Sequence, residues 1–421
     1  MRPLEGVRIA DLTWLMAGAG GLKLMSALGA EVIRVEWHGR MDWLRFHAQT
    51  PIPYRQPDHA PLDPQNPNRS GYFNAINAGK YGISLNVKHP EGRKLFLRLV
   101  GISDVVVESF TAETMDKLGL GYEVLKSVKP DIIYYQQPGW GKKGPYVKYA
   151  SYGPIAQGIS GLTEQSGLPD PAPPAGWGFS YMDWSGAYYC AIGMLLALNY
   201  KQATGKGQYI DGSQIEPAIY MTGTAILDYV ANGRHWQRDG NRSRYQPAAP
   251  HGAYRCAGPG ADRWIAIAVR DEQEWRGLVR EMGQPGWSAD PKFATMAARI
   301  ANQDELDRRI EAWTKDQDAY AIQERLQKAG VPAGVCQRAQ DRLERDPQLK
   351  HLKWMIDLPH SYVGTWPHRD IAWHFANLES DQGGPTRRSA PCYGEDNDYV
   401  YGELLKLSKA EQERLRRDGV I

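Results

Sequence analysis

Apolar positions in the first half of the chain fall into short runs separated by helical spacing, and their order sets the expected architecture. VRIADL (7–12) and EVIRVE (31–36) are apolar runs of strand length. Between them, GGLKLMSALGA places Leu22, Met25 and Leu28 at helical spacing, with Gly29 as a stop. This β-α-β opening predicts parallel strands joined by a right-handed crossover. GISLNV (82–87) repeats the strand pattern, and Pro90, tolerated in a first helical turn, opens a helix carrying Leu95 and Leu99. DVVVES (104–109) and DIIYYQQ (131–137) read as buried parallel strands on either side of a short helix around 123–127. A long helix is expected from Asp183 to about 203, with Ala187, Ala191, Leu195 and Leu198 on one face. GQYIDGS (207–213) follows as a strand and 216–230 as a helix.

From about residue 232 the texture changes. Tyr254, Trp264, Ile265, Ile267 and Val269 suggest a small sheet, followed by charged helices near 271–283, 303–314 and 318–329. The fold class that follows is α/β: a doubly wound parallel-sheet large domain with a second, smaller α/β domain. The expected division is 1–231 for the large domain, with a C-terminal return at about 375–421, and 232–374 for the small one. Residues 51–70 and 167–178, rich in Pro with Asn, Asp or Gly, read as loops. Ser408 and Glu411 form a capping box by pattern, opening a final helix before Gly419.

Charge narrows the class of partner. Fifty Lys and Arg against 48 Asp and Glu leave a net charge of +2, so no broad field draws the chain to nucleic acid or anionic lipid. Cys190, Cys256, Cys336 and Cys392 lie far apart and form no C-x-x-C pair, which fits a reduced cytoplasmic setting and no metal. The N-terminus lacks the pattern of a signal peptide, and no apolar run reaches membrane-spanning length. The aromatic balance, 14 Trp and 23 Tyr against 7 Phe, favours walls that are apolar yet hydrogen-bond.

Three patterns invite chemistry. Gly18, Gly20 and Gly21 after a strand, with Glu36 ending the next, imitate a dinucleotide fingerprint, but position 23 is Lys where the third glycine belongs. A tight strand-to-helix turn is the better reading. Asp183 at a helix start serves either as an N-cap or as an ionised carboxylate able to attack an activated carbonyl, and the two roles are compatible. All ten histidines lie outside 101–234. No H-E-x-x-H, G-x-S-x-G or P-loop pattern is present, so zinc proteolysis, elbow-type serine hydrolysis and P-loop chemistry are excluded.

PLEGVRIADLTWLMAGAGGLKLMSALGAEVIRVE resembles the N-terminal signature of class III CoA-transferases, the family of formyl-CoA and carnitine CoA-transferases, with α-methylacyl-CoA racemases as relatives. The likeness continues through NAGKYGISLNVKHPEG, DVVVESFTAETMDKLGLGYEVL, PDIIYYQQPGWGKKGPY, ATGKGQYIDGSQIE and the ending LSKAEQERLRRDGVI. It implies a transferase that moves CoA from an acyl-CoA to a carboxylic acid, with Asp183 as the nucleophile forming an anhydride and then a thioester. It implies coenzyme A as substrate, no permanently bound cofactor, and an interlocked dimer, as a homodimer or with a related subunit. Ala17, Met16, Phe110, Lys117 and Lys80 fall at the positions expected to contact CoA. Ser109 stands where the family has Asn, Lys117 where an Arg is common, and Tyr81 at an Arg position. A glycine-rich loop of formyl-CoA transferases is replaced by GNRSRYQPAAPHG (240–252).

The acceptor is read from aromatics near Asp183. Trp14, Tyr181 and Trp184 are the expected pocket residues, within a group that includes Trp177, Phe179, Tyr188 and Tyr189. Such walls favour an aromatic or bulky acid such as benzylsuccinate, with succinyl-CoA as donor, as in anaerobic aromatic degradation. Three rivals remain. A racemase needs an α-proton base, and its histidine position is Ser151 here. A subunit of a heteromeric transferase and an NAD enzyme on the opening β-α-β are the others.

Overall fold

The computed structural model describes residues 2–47, 66–176, 181–243, 245–258, 263–373 and 386–421. Six parallel strands form one sheet: β1 (Arg8–Leu12), β2 (Glu31–Glu36), β3 (Tyr81–Ser84), β4 (Val105–Glu108), β5 (Ile133–Gln136) and β6 (Tyr209–Asp211). Their order is β3-β2-β1-β4-β5-β6, so the winding reverses between β1 and β4. The connecting helices are α1 (Ala17–Ala27), α2 (Gly71–Asn77), α3 (Pro90–Gly101), α4 (Thr114–Lys117), α5 (Tyr122–Val128), α6 (Gly153–Ile159), α7 (Tyr181–Thr204), α8 (Ile215–Met221) and α9 (Gly223–Asn232). The helix expected over 216–230 is thus broken at Thr222, whose hydroxyl donates to the carbonyl of Ile219.

Strand periodicity sends alternate residues to opposite faces, and both faces are covered. Val32, Ile9, Val105 and Ile133 form one in-register row facing α1 and α7, where Leu22, Met25, Ala191 and Met194 pack against them. Ile33, Ala10, Val106 and Tyr134 form the opposite row, under Phe96 and Leu99 of α3 and Leu125 of α5. The C-terminal segment completes that second layer with Val400, Tyr401 and Leu415. Its last helix, Lys409–Arg417, carries the expected capping box between Ser408 and Glu411.

The close approach of α1 to α7 explains the glycines of the opening turn. A Cβ on Gly20 would lie 3.1 Å from Cβ of Ala187, and one on Gly21 would lie 2.7 Å from the Ala187 carbonyl oxygen. These glycines let two helices touch backbone to side chain.

The chain divides into two compact units. The larger comprises residues 1–163, 176–234 and 348–421, the smaller 164–175 and 235–347. The smaller holds an antiparallel sheet of β7 (His251–Cys256), β8 (Arg263–Ala268) and β9 (Ala333–Val335). One face of it, with Tyr254, Ile265 and Ile267, packs on α10 (Glu272–Glu281), α11 (Met296–Ala301), α12 (Gln303–Thr314) and α13 (Ala319–Lys328) through Leu278, Ile310 and Leu326. Residues 348–373, expected in the small domain, group instead with the larger unit. They form a hairpin, β10 (Met355–His360) and β11 (Gly364–Arg369), tied down by a bond from Lys23 Nζ to the Arg369 carbonyl at 2.7 Å and by Ile371 in the core under α1 and α7. No helix among the described residues is long and apolar enough to cross a membrane.

Candidate active site

α7 begins at Tyr181, which puts Asp183 in its first turn, three residues further in than an N-cap reading required. A carboxylate there meets the positive end of the helix dipole, which favours its ionised form. Asp183 is half-buried. Gln214, at the entry to α8, donates from Nε2 to Asp183 Oδ1 at 2.8 Å. Gln214 is itself buried, its backbone N–H bonds the Pro138 carbonyl, and its Cγ lies beside Gly186. Opposite stands Gly153, the first residue of α6. A methyl group on it would lie 2.7 Å from Asp183 Oδ2 and 3.0 Å from Cγ, so any side chain there would fill the approach to the carboxylate.

The floor of this region comes from the ends of β1 and β5. Ala17 Cβ lies 3.5 Å from where a Gly186 side chain would begin, and Gln137 Nε2 donates to the Gly186 carbonyl at 2.9 Å. Gln137 Oε1, Ser151 Oγ and Trp140 Nε1 are buried without a hydrogen-bond partner among the described residues. Such atoms normally cost ~1–3 kcal/mol each.

A second feature lies where the sheet order reverses, the place where open α/β sheets bind ligands. A cavity of about 220 Å³ opens at the C-terminal ends of the strands, lined by Trp14, Phe110, Arg40, Lys88, Thr114 and Leu118 among others. Trp14 and Phe110 meet edge to face with centroids 5.6 Å apart, and the Arg40 guanidinium stands 5.0 Å from the Trp14 ring. Ser109 stitches the two loops together, accepting from Trp14 N at 2.9 Å and donating to the Trp14 carbonyl. Beneath Phe110, Glu108 is fully buried and accepts from Phe110 N at 2.6 Å and Tyr134 OH at 3.0 Å. Burial pushes its carboxyl up to about 8, against the opposing pull of those two donors.

The profile of CoA-transferase family III matches residues 4–397. The chain belongs to that family. It is 31% identical over 421 residues to succinyl-CoA–D-citramalate CoA-transferase from Chloroflexus aurantiacus, covering 100% of this chain and 98% of that protein. It is 31% identical over 332 residues to acetyl-CoA:oxalate CoA-transferase from Acetobacter aceti, covering 79% and 80%. A crystal structure of a CAIB/BAIF family protein from Brucella suis superposes with a TM-score of 0.84 at 29% identity, covering 96% of this chain and 99% of that one. The protein is therefore a CoA-transferase that moves CoA between an acyl-CoA and an acid. Membership implies CoA thioesters as substrates and no permanently bound cofactor.

Within this family III chain the expected site residues are distributed unevenly. Ala17 lies beside Gly186, three residues beyond Asp183 on α7. Phe110 lines the cleft, and so does Trp14, which faces Phe110 there and not an acceptor pocket. Lys117 stands beside the cleft at the end of α4, largely exposed and paired with Glu113 at 2.9 Å. Lys80 departs from expectation. It is fully buried, its ammonium 2.9 Å from Asp11, in a cluster where Arg34 also meets Asp11, Glu36 and Asp42, and Arg45 grips Glu36 at 2.6 Å. Burial lowers Lys80 to about 8, and Asp11 pulls the other way. Closed to solvent and committed to Asp11, it cannot reach a CoA phosphate in this arrangement. The same cluster consumes Glu36, the residue a dinucleotide would have needed.

Met16 is also buried, packed with Ala19, Leu44, Phe73 and Ile76 and not facing an open cleft. Trp184 is half-buried, over Gly20 and under the Arg369 guanidinium at 4.7 Å. Tyr181 is exposed at the start of α7, and Trp177 and Phe179 lie outside the described residues. Gln214, Gly153, Gln137, Arg40 and Lys88 were not anticipated. The available signal was position: all five follow a strand, or the loop after one, at the ligand-binding end of the sheet.

Proposed function

We propose that this transferase carries CoA from an acyl-CoA donor to a short dicarboxylic acid through covalent adducts on Asp183. The observation that carries the reading is the Asp183 carboxylate in the first turn of α7, held by Gln214 and approached over Gly153. The carboxylate attacks the donor thioester carbonyl and expels CoA thiolate, leaving a mixed anhydride. The thiolate then attacks the aspartyl carbonyl, releasing the donor acid and leaving an aspartyl-CoA thioester. The acceptor carboxylate attacks that carbonyl, forming a second anhydride, and the thiolate closes the cycle at the acceptor's acyl carbon. Every step is an acyl exchange, with no net redox change.

CoA would lie along the cleft at the sheet reversal, its base against Trp14 and Phe110 and its phosphates toward Lys117, Arg40 and Lys88. The unpartnered Ser151, Trp140 and Gln137 atoms support a polar ligand near Asp183. A dicarboxylic acceptor is favoured by the relatives, named for citramalate and oxalate. An aryl acceptor keeps less support, because Trp14 is engaged with Phe110 and Trp184 with Arg369. We also infer an interlocked assembly of two chains.

The test is Asp183→Ala with hydroxylamine trapping. The variant should fold, lose transfer by about three orders of magnitude or more, and give no trapped adduct. Near-native turnover would refute the nucleophile. A panel of acids under one donor, setting citramalate, oxalate and succinate against benzylsuccinate, decides the acceptor class.

A further inference from the structure

The cleft lies at the C-terminal ends of the strands; a second concavity lies at the other end of the sheet. It encloses about 500 Å³ where β1, β2 and β3 begin, and four arginines line it: Arg2, Arg8, Arg387 and Arg388. The carboxylates on its wall are Glu5 and Glu31. All of these residues belong to the larger unit. Two of the arginines are spent on the walls. Arg8 pairs with Glu31, whose other oxygen accepts from Tyr399 OH. Arg388 donates from both terminal nitrogens to Asp396 at 3.1 Å and lies over the Tyr81 ring at 4.4 Å.

Arg2 and Arg387 stand close enough for their charges to repel. Burial holds the Arg2 guanidinium below its ordinary value and Arg387 lowers it further, against the pull of Asp370 and Glu5. Asp370 is engaged elsewhere, accepting from the amide and hydroxyl of Thr386 at 3.0 and 3.2 Å, and Glu5 accepts from the backbone amide of Arg2 at 3.0 Å. Arg387 forms no ion pair with another described residue. The backbone keeps the two like charges together. Buried Thr386 precedes Arg387, and the Arg388 carbonyl after it accepts from Gly79 N at 2.9 Å. The Arg2 stem packs on Gly29, where a Cβ would lie 2.5 Å from Arg2 Cβ, and Leu4 N, bonded to the Leu28 carbonyl at 2.9 Å, ties down the turn behind it. The α1 carbonyls of Leu24, Met25 and Ser26 are taken by the amides of Leu28, Ala30 and Gly29, which leaves fewer dipoles to oppose an anion there.

We propose that this recess is a binding site for a phosphate monoester, its dianionic group seated between Arg2 and Arg387 and its body against Val7 and Ala30. A phosphate dianion relieves the repulsion of two guanidiniums, and its three terminal oxygens meet two planar forks at once. A carboxylate has one charge and two oxygens, enough for a single fork. The recess is larger than a bare phosphate, and Val7 and Ala30 give it an apolar wall, so the ligand is an ester and not the free ion. The site stands at the opposite end of the strands from the cleft and makes no demand on the transfer reaction.

Calorimetric titration of the full-length protein with glycerol phosphate, inorganic phosphate and succinate is the test. Glycerol phosphate should bind most tightly of the three, and Arg387→Ala should weaken it about tenfold or more. Arg387 is exposed, so the variant should keep the native melting temperature without ligand and its turnover in phosphate-free buffer. Arg387→Lys, which keeps the charge and loses the fork, should bind with intermediate strength. Lys117→Glu, at the cleft, should leave the titration unaltered. No binding by the native protein, or binding indifferent to Arg387→Ala, would overturn the site. Equal losses in Arg387→Ala and Lys117→Glu would do the same, by placing the phosphate in the cleft. Succinate or inorganic phosphate bound as tightly as glycerol phosphate would overturn the assigned ligand class.

Discussion

Glu108 shows how a single residue ties the cleft to solution conditions. It lies at the end of β4 with no solvent exposure, and burial raises its carboxyl from the ordinary range near 4.5 to about 8. Between those two values the folded protein keeps a proton that the unfolded chain has released. Stability therefore falls as pH rises through that window. Glu108→Gln keeps the shape and removes the titration, so its melting temperature should fall less than the native one between pH 5 and 8, which are about the window's limits. Parallel melting curves would show that Glu108 does not titrate there. Lys117 gives a second prediction at this scale. Its exposed pair with Glu113 is of the kind worth ~0–1 kcal/mol, so the ammonium is free to turn toward a phosphate. Lys117→Glu should raise KM for the CoA thioester by about tenfold or more while leaving KM for the acid unchanged. An equal rise in both would put the phosphates elsewhere. The place of Asp183 at the start of a long helix was legible in the sequence, because the apolar spacing of α7 carries a local pattern. Lys80 was misread because its destination depends on Asp11, 69 residues earlier in the chain. Gln214 gave no signal, being a neutral amide whose partner is 31 residues away.

Among the elements, the contact of α1 with α7 controls the position of Asp183, since α7 rests on glycines of α1. Gly21→Ala tests this. The added methyl group would lie 2.7 Å from a backbone oxygen of α7, which cannot yield as a flexible side chain would. Overpacking of this sort costs ~1–3 kcal/mol, which outweighs the ~1 kcal/mol that alanine gains in helix propensity. The variant should melt lower and lose activity beyond its loss of stability. Unchanged melting with full activity would mean that the contact is slack. The parallel strands were readable because strands buried on both faces are continuous apolar runs, as VVVE in β4. The hairpin of β10 and β11 was not, for its strands carry Pro359, Pro367, His360 and His368 and lack a clean alternation. β9 is three residues of Ala, Gly and Val and leaves no pattern at all. The break at Thr222 was hidden because apolar residues continue on both sides of it.

For the molecule as a whole, α9 poses the problem that an assembly would solve. None of its residues is buried in the single chain, yet it carries Ile226, Leu227, Tyr229 and Val230, with Leu227 68% and Val230 74% exposed. Tyr188, Leu196 and Tyr200 of α7 and Tyr220 of α8 add to this exposed apolar surface. The proposed assembly of two chains would cover side chains of this kind, and each large one covered would contribute ~1.5–3 kcal/mol. Charge placed on α9 separates assembly from folding. In the lone chain the substituted positions face water, so Leu227→Glu with Val230→Glu should cost the fold within about 0.5 kcal/mol for each. In a dimer each charge would be buried without a partner, at several kcal/mol. Light scattering should find the native protein at twice the chain mass and the double variant at the chain mass, with the far-ultraviolet helix signal retained. A native protein that is monomeric at micromolar concentration would remove the inferred homodimer. CoA transfer by the chain purified alone separates a self-sufficient enzyme from one subunit of a heteromer. Activity that appears only on adding a related chain would assign α9 to that partner instead of a second copy.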